Sequence, residues 1–167
     1  MKYLALNKEK IPALIKELNL LLANYQVYSQ KLKNFHWNVK GSYFFELHRQ
    51  FEKLYERSHN DIDLIAERVR ILKSKPWNTL KKYLENSEIK EQEDFLNDRH
   101  IVEIIVNDHY LLLKNMRKVL RIAESAGDEG TMDLIVGMMR YIEKKSWMLD
   151  SWIEHPVTKD LKLNSMS

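Results

Sequence analysis

The sequence predicts an all-α protein, a four-helix bundle with a short extra helix in the long link between helices two and three. Three observations carry that expectation. Only 4 Gly and 3 Pro occur in 167 residues, so the chain has few places to stop a helix. Four long stretches repeat apolar residues at i, i+3 and i+4, the rhythm of one buried helix face. The breaks between them fall on turn-forming residues: "VKGS" from Val39, Pro76 in "KSKPWN", and "AGDEG" from Ala126. The length suits one domain spanning residues 1–167, with a core of useful size.

The first helix is expected from Ile11 to Val39, with Leu14, Leu18, Leu21, Leu22, Tyr25, Tyr28 and Leu32 on its apolar stripe. Gly41 is expected to end it and Ser42 to cap the next. Helix two runs from Tyr43 to Leu72 and stops ahead of Pro76, which forbids simple continuation. A short amphipathic piece, Thr79 to Asn86, sits in the crossover. Helix three covers Phe95 to Ser125, and helix four runs from Thr131 to His155, stopped by Pro156. Short flexible tails are expected at residues 1–8 and 157–167. Helices of this length reach ~40 Å. Two tight turns and one long crossover give the bundle ferritin-like connectivity.

Composition narrows the chemistry. With 44% apolar and 31% charged residues, the chain reads as an ordinary globular protein and not as a disordered one. The net charge of +3 is mixed along the chain, so no clustered basic face of the kind nucleic acid selects is evident. The absence of cysteine excludes disulfides, iron–sulfur clusters and thiol catalysis. A metal site would have to be built from His and carboxylates, which suit iron or manganese better than Cu(I). No apolar run approaches the ~18 residues of a membrane span, and the N-terminus has no leader pattern, so a cytoplasmic location is expected.

Helix two carries the pattern with most chemistry in it. With His48 set at zero and about 100° added per residue, Phe44, Leu47, Phe51, Leu54, Tyr55, Ile62, Ile65, Val69 and Leu72 fall on one core stripe. Arg49, Gln50, Lys53, Arg57, Asn60 and Arg68 form a polar face. His48, Glu52, Asp63 and Glu67 share the border between the two. Yet Glu52 and Asp63 are ~16 Å apart along the axis, and His48 and Glu67 ~28 Å. Bonds from such ligands to metal are only ~2.0–2.6 Å, so one chain cannot close all four on one ion. Both pairs are centred between residues 57 and 58. Two antiparallel copies of the helix would therefore set His48 opposite Glu67, and Glu52 opposite Asp63, in two sites shared across a two-fold axis.

His36 in "NFHWN" is a fifth candidate, because the tight turn can bring it close to His48. Its neighbour Trp37 reads first as core, although an indole beside an oxidising metal can donate an electron. An intrachain di-iron centre would need Glu-x-x-His on two helices. Only Glu56–His59 fits that spacing, since His100, His109 and His155 lack a Glu three residues before them.

At these residues the chain resembles the Dps mini-ferritins, through "NFHWNVKGSYFFELHRQFEKLY", "DIDLIAER" and "KKSWMLDSWI". The resemblance spans nearly the whole chain. It implies iron as the metal (Fe²⁺ oxidised to Fe³⁺), with ferroxidase ligands at His36, His48 and Glu52 of one subunit and Asp63 and Glu67 of a two-fold mate. Trp37 would be the aromatic electron donor. It further implies a homo-oligomer, a hollow dodecamer that oxidises Fe²⁺ with H₂O₂ or O₂ and stores ferric mineral, protecting against oxidative stress. Glu52 stands where many members have Asp, and "LKSKPWN" replaces a segment that is commonly glycine-rich.

Asp128, Glu129 and Asp133 read equally as an iron-entry pore, by the same resemblance, or as acids complementing a helix N-terminus. Some members coat DNA with lysine-rich tails, which would make the protein nucleoid-associated and, with little turnover, a compacting scaffold. Here Lys2, Lys8 and Lys10 are diluted by Glu9, and Lys159 and Lys162 by Asp160, so strong DNA binding is not expected.

Overall fold

The chain folds into α1 (Ile11–Asn38), α2 (Phe44–Ile71), α3 (Leu80–Asn86), α4 (Asp98–Ala126) and α5 (Glu129–Glu154). The computed structural model describes residues 4–93 and 97–154. Phe95, expected to open helix three, and the tail lysines Lys2, Lys159 and Lys162 lie outside the described residues, as do His155 and Pro156. Helices α1 and α2 pack as one hairpin and α4 and α5 as another. Helix α1 also lies against α4 and α3. This is the ferritin-like bundle with its short helix on the crossover.

Helix α1 is buried on nearly every side. Leu14, Leu18, Leu21, Tyr25, Tyr28, Leu32 and Phe35 face the bundle core. Its opposite flank is covered by the crossover, which asparagines hold in place. The Asn24 carboxamide oxygen accepts from Ser87 Oγ at 3.0 Å and from the Glu88 amide at 2.8 Å, and its nitrogen donates to Asn115 at 3.1 Å. Asn19 accepts from the Trp77 amide at 2.8 Å. Asn34 donates to the Gln92 carbonyl at 2.6 Å. Each bond satisfies a backbone or side-chain group that burial would otherwise leave orphaned.

The core stripe of α2 follows the helical arithmetic. Leu47, Phe51, Leu54, Ile65 and Val69 are buried, and Phe44, Tyr55 and Ile62 are half-buried beside them. Two expectations need correction. Ser42 does not cap α2: Tyr43 holds the N-cap position with no side-chain hydrogen bond, and the Phe44 amide closes the turn onto the Gly41 carbonyl at 3.2 Å. Arg57 and Arg68 are not on a solvated face. Arg57 pairs with buried Asp61 at 2.9 Å and stacks over Tyr141, while Arg68 reaches Asp128 and Thr131 at the start of α5. Long side chains at the rim of the stripe can reach α5 when it offers a carboxylate or a ring.

The start of the chain is also tied down over its described part. Leu4 and Leu6 pack against the core, and the Asn7 amide donates to the Ala126 carbonyl at 3.0 Å. At the other end of α2, Lys73 takes the left-handed conformation, with φ of 61°. The Ser74 amide bonds back to the Val69 carbonyl and the Lys73 amide to that of Arg70, closing the helix in the motif that normally uses glycine. A side chain in that conformation costs about 1–2 kcal/mol. Lys73→Gly is therefore expected to raise stability by about 0.5–1 kcal/mol, measured by chemical unfolding at fixed chain concentration. A loss would show that contacts of the lysine side chain outweigh the relief of the backbone.

Candidate metal centre

His36 sits in the last turn of α1 and His48 in the second turn of α2. The turn between them depends on Gly41, whose φ of +117° disfavours any side chain although there is room for one. Because the turn is tight, the two rings stack with centroids 3.7 Å apart and planes inclined by 22°.

The rings are locked reciprocally. His36 Nδ1 lies 2.9 Å from the His48 carbonyl oxygen, and His48 Nδ1 lies 2.8 Å from that of His36. A carbonyl can only accept, so both Nδ1 atoms carry the hydrogen. In the neutral rings both Nε2 atoms then keep a lone pair, the tautomer that metal-binding histidines adopt. Phe44 stacks on His48 at 5.0 Å, and Tyr55 sets its edge toward His36 at 5.3 Å. Two imidazole donors are thus fixed side by side in a half-apolar wall.

Glu52 lies one turn beyond His48 and is half-buried. Burial, and then the charges of Glu52 and Glu56, raise the Tyr55 phenol above its ordinary value. Asp63 and Glu67 are exposed further along α2. Within one chain the structure brings His36 and His48 together with Glu52 nearby, and leaves Asp63 and Glu67 apart from them. Among the described residues no three His, Cys, Asp or Glu side chains converge as a metal cage. Trp37 is not core: it is 65% exposed and lines a groove of about 680 Å³ with His59, Ile62, Leu80 and Leu84.

The intrachain alternative fails on the same coordinates, because Glu56 and His59 are both exposed. The bundle interior holds Lys31 paired with Asp108 at 2.8 Å and Arg57 paired with Asp61. Each carboxylate there already faces a protein cation. These buried polar residues were missed from the sequence. The available signal was a set of charged or imidazole side chains (Lys31, Asp61, Asp108, His109) interrupting otherwise apolar helix faces.

Comparison with known proteins agrees with this architecture. The ferritin-like domain family matches residues 15–156. DNA protection during starvation protein 2 of Bacillus anthracis is 42% identical over 139 residues, covering 83% of this chain and 95% of that protein. The chain belongs to the Dps family. The crystal structure of Dps from Staphylococcus aureus superposes with a TM-score of 0.83 at 36% identity, covering 89% of this chain and 98% of that one. That of Vibrio cholerae O1 gives 0.86 at 38% identity, covering 89% and 94%. The Vibrio protein is described as a member of a broad superfamily of ferritin-like diiron-carboxylate proteins.

In this Dps chain Asp128 is not a free acid. It is 1% exposed and caps α5, accepting from the Thr131 amide at 2.9 Å and Thr131 Oγ1 at 2.6 Å, besides its bond from Arg68. A carboxylate so occupied is a helix cap, which corrects the pore reading for this residue. Glu129 and Asp133 are exposed, and nothing comparable ties them down. Burial works against the Asp128 charge, but the bonds from Arg68 and Thr131 outweigh it and hold the carboxyl below its ordinary value. A depressed folded value stabilises above the unfolded one, and that gain fades as pH falls through the folded value. Asp128→Asn is expected to cost about 1–3 kcal/mol at neutral pH. The gap to the parent should shrink below pH ~4, read from unfolding curves at both pH values.

Proposed function

We propose that this protein is a ferroxidase of the iron-storing kind, oxidising Fe²⁺ at sites shared between two subunits and keeping the ferric product inside a hollow shell. The observation that carries the reading is the reciprocal lock on His36 and His48, which stacks the two rings and leaves each Nε2 its lone pair. His36, His48 and Glu52 form one half of each site, and Asp63 and Glu67 of the partner subunit complete it. The centring of both pairs on residues 57–58 supports this assignment. Trp37, Leu80 and Leu84 support the two-fold packing, since they leave apolar surface on the same side of α1, α2 and α3 that a second copy would cover. In the family setting the complete oligomer is a dodecamer.

Iron is the substrate here. Imidazole and carboxylate hold Fe²⁺ without the tight grip of thiolate, so the product can move on to the mineral. Two Fe²⁺ held near one another each give one electron to one H₂O₂. With two protons this yields two Fe³⁺ and two waters, and no odd electron is left to make hydroxyl radical. O₂ is the alternative oxidant in this scheme. Trp37, one residue from His36, supplies an electron when the second iron is missing. The biological result is iron storage and detoxification under oxidative stress.

Complementation tests the shared site. Shells of His48→Ala/Glu52→Ala chains and shells of Asp63→Ala/Glu67→Ala chains are each expected to lose peroxide-driven ferroxidation while remaining assembled. When equal amounts of the two are dissociated, mixed and reassembled, isologous pairing restores about a quarter of the sites. Activity should return in that proportion. No recovery, in shells shown to be mixed, would place the site within one chain.

DNA compaction is the second reading, taken from the names of the relatives, and we rank it lower. Lys8 and Lys10 are exposed but flank Glu9, and few cations per chain give binding that salt abolishes. Mobility-shift assays should show retention of DNA at low salt that disappears at moderate salt. Retention at moderate salt would reverse the ranking.

A further inference from the structure

Away from the His36–His48 wall, three helices meet at a buried phenol. Tyr28 of α1 is 1% exposed and His109 of α4 is 0% exposed. Tyr28 Oη lies 2.6 Å from His109 Nε2, and His109 Nδ1 lies 2.8 Å from Ser146 Oγ of α5. The direction of every bond can be read. Ser146 donates its hydroxyl hydrogen to the Ile142 carbonyl at 2.8 Å, so its oxygen must accept from His109. His109 Nδ1 therefore carries the ring hydrogen, Nε2 is bare, and the phenol donates to it.

We propose that Tyr28 is a redox-active tyrosine, giving one electron to an oxidised tryptophan side chain while His109 takes its phenolic proton at Nε2. A phenol that loses an electron becomes a far stronger acid than any imidazolium. Its proton then passes to His109 along a hydrogen bond that already exists, so no atom has to move far. Tyr83, another buried phenol, donates to the Trp77 carbonyl, which cannot take up its proton. The Tyr25 hydroxyl, 6.2 Å away between ring centres, lies toward Asp61 without completing a hydrogen bond.

The surroundings suit this role. Burial pushes the His109 imidazole down to about 3, so the ring is neutral and its acceptor lone pair is free. The same burial makes the imidazolium a transient holder that returns its proton when Tyr28 is reduced. Burial, and then the charges of Asp108 and Asp61, hold the Tyr28 phenol well above its ordinary value, so it keeps its proton until the electron leaves. Indoles that can draw its electron once oxidised are close along the helices. Trp37 lies nine residues further along α1, ~13 Å by helix rise, and Trp147 follows Ser146 directly. Both are exposed and meet solvent radicals first.

The electrons and protons balance. A hydroxyl radical takes a hydrogen atom's equivalent from an exposed indole and leaves as water. The indolyl radical then takes one electron from Tyr28 and one proton from solvent, becoming tryptophan again. The phenoxyl radical remains in the core with its proton on His109. Fe²⁺ or a thiol later returns the electron, and the imidazolium returns the proton.

The test needs no iron, so it stands apart from the ferroxidase reading. Azidyl radicals, which oxidise exposed indoles, are generated by pulse radiolysis in the assembled, metal-free protein. The indolyl band is expected to decay as the tyrosyl band grows, and frozen samples should give a tyrosyl signal by electron paramagnetic resonance. Tyr28→Phe is expected to abolish the transfer, whereas Tyr25→Phe and Tyr141→Phe leave it unchanged. His109→Gln can still accept the phenol's hydrogen bond but cannot take its proton, and should also abolish it. Transfer that persists in Tyr28→Phe or in His109→Gln overturns the proposal. So does a parent protein in which no indolyl-to-tyrosyl transfer occurs, a result that requires no variant to fold.

Discussion

Two hydrogen bonds across one short turn set the geometry on which the rest of the candidate site depends. His36 and His48 each bind the backbone carbonyl of the other, so the end of α1 and the start of α2 cannot slide without breaking both. The partners are main-chain atoms, whose positions the helices already fix. Ring orientation, tautomer and the spacing of the donor nitrogens follow from that anchoring. Phe44 stacks on His48 and Tyr55 meets His36, which packs the pair between two further rings.

The bundle interior shows a different use of polar groups. In a di-iron helix bundle, carboxylates from several helices converge on metal. Here Asp108 and Asp61 face Lys31 and Arg57 instead. Burial raises both carboxyls, and the neighbouring cations pull them back. Buried pairs of this kind add little net stability, but removing one partner strands the other at a cost of about 3–5 kcal/mol.

The sequence was a good guide to whatever depends on periodicity. Long runs with apolar residues three and four apart become helices because only one face needs burial, and few glycines interrupt them. His48 and Glu52 are half-buried at the border that the wheel gives them, whereas Asp63 and Glu67 lie on its exposed side. The helical wheel did less well where a long side chain bends out of its radial direction. Arg57 and Arg68 sit at angles that look solvated, yet Arg57 pairs with Asp61 one turn on and lies over the Tyr141 ring of α5, and Arg68 reaches Asp128, a carboxylate that no wheel drawn for α2 contains. Asp128 was ambiguous because a cap and a pore acid use the same residue type, and its bonds from Thr131 and from Arg68, sixty residues earlier in the chain, separate the two. Trp37 was expected inside on composition, but its position next to His36 turns it about 100° away, onto the outer groove.

The buried Lys31–Asp108 pair has a consequence for how the hairpins find each other. Apolar helix faces tolerate sliding, since one leucine contact resembles the next. An ammonium and a carboxylate on facing helices do not, because a shift of one turn would leave both charges in hydrocarbon with nothing opposite. The pair thus acts as a register mark between the two halves of the molecule, selecting one alignment of α1 on α4.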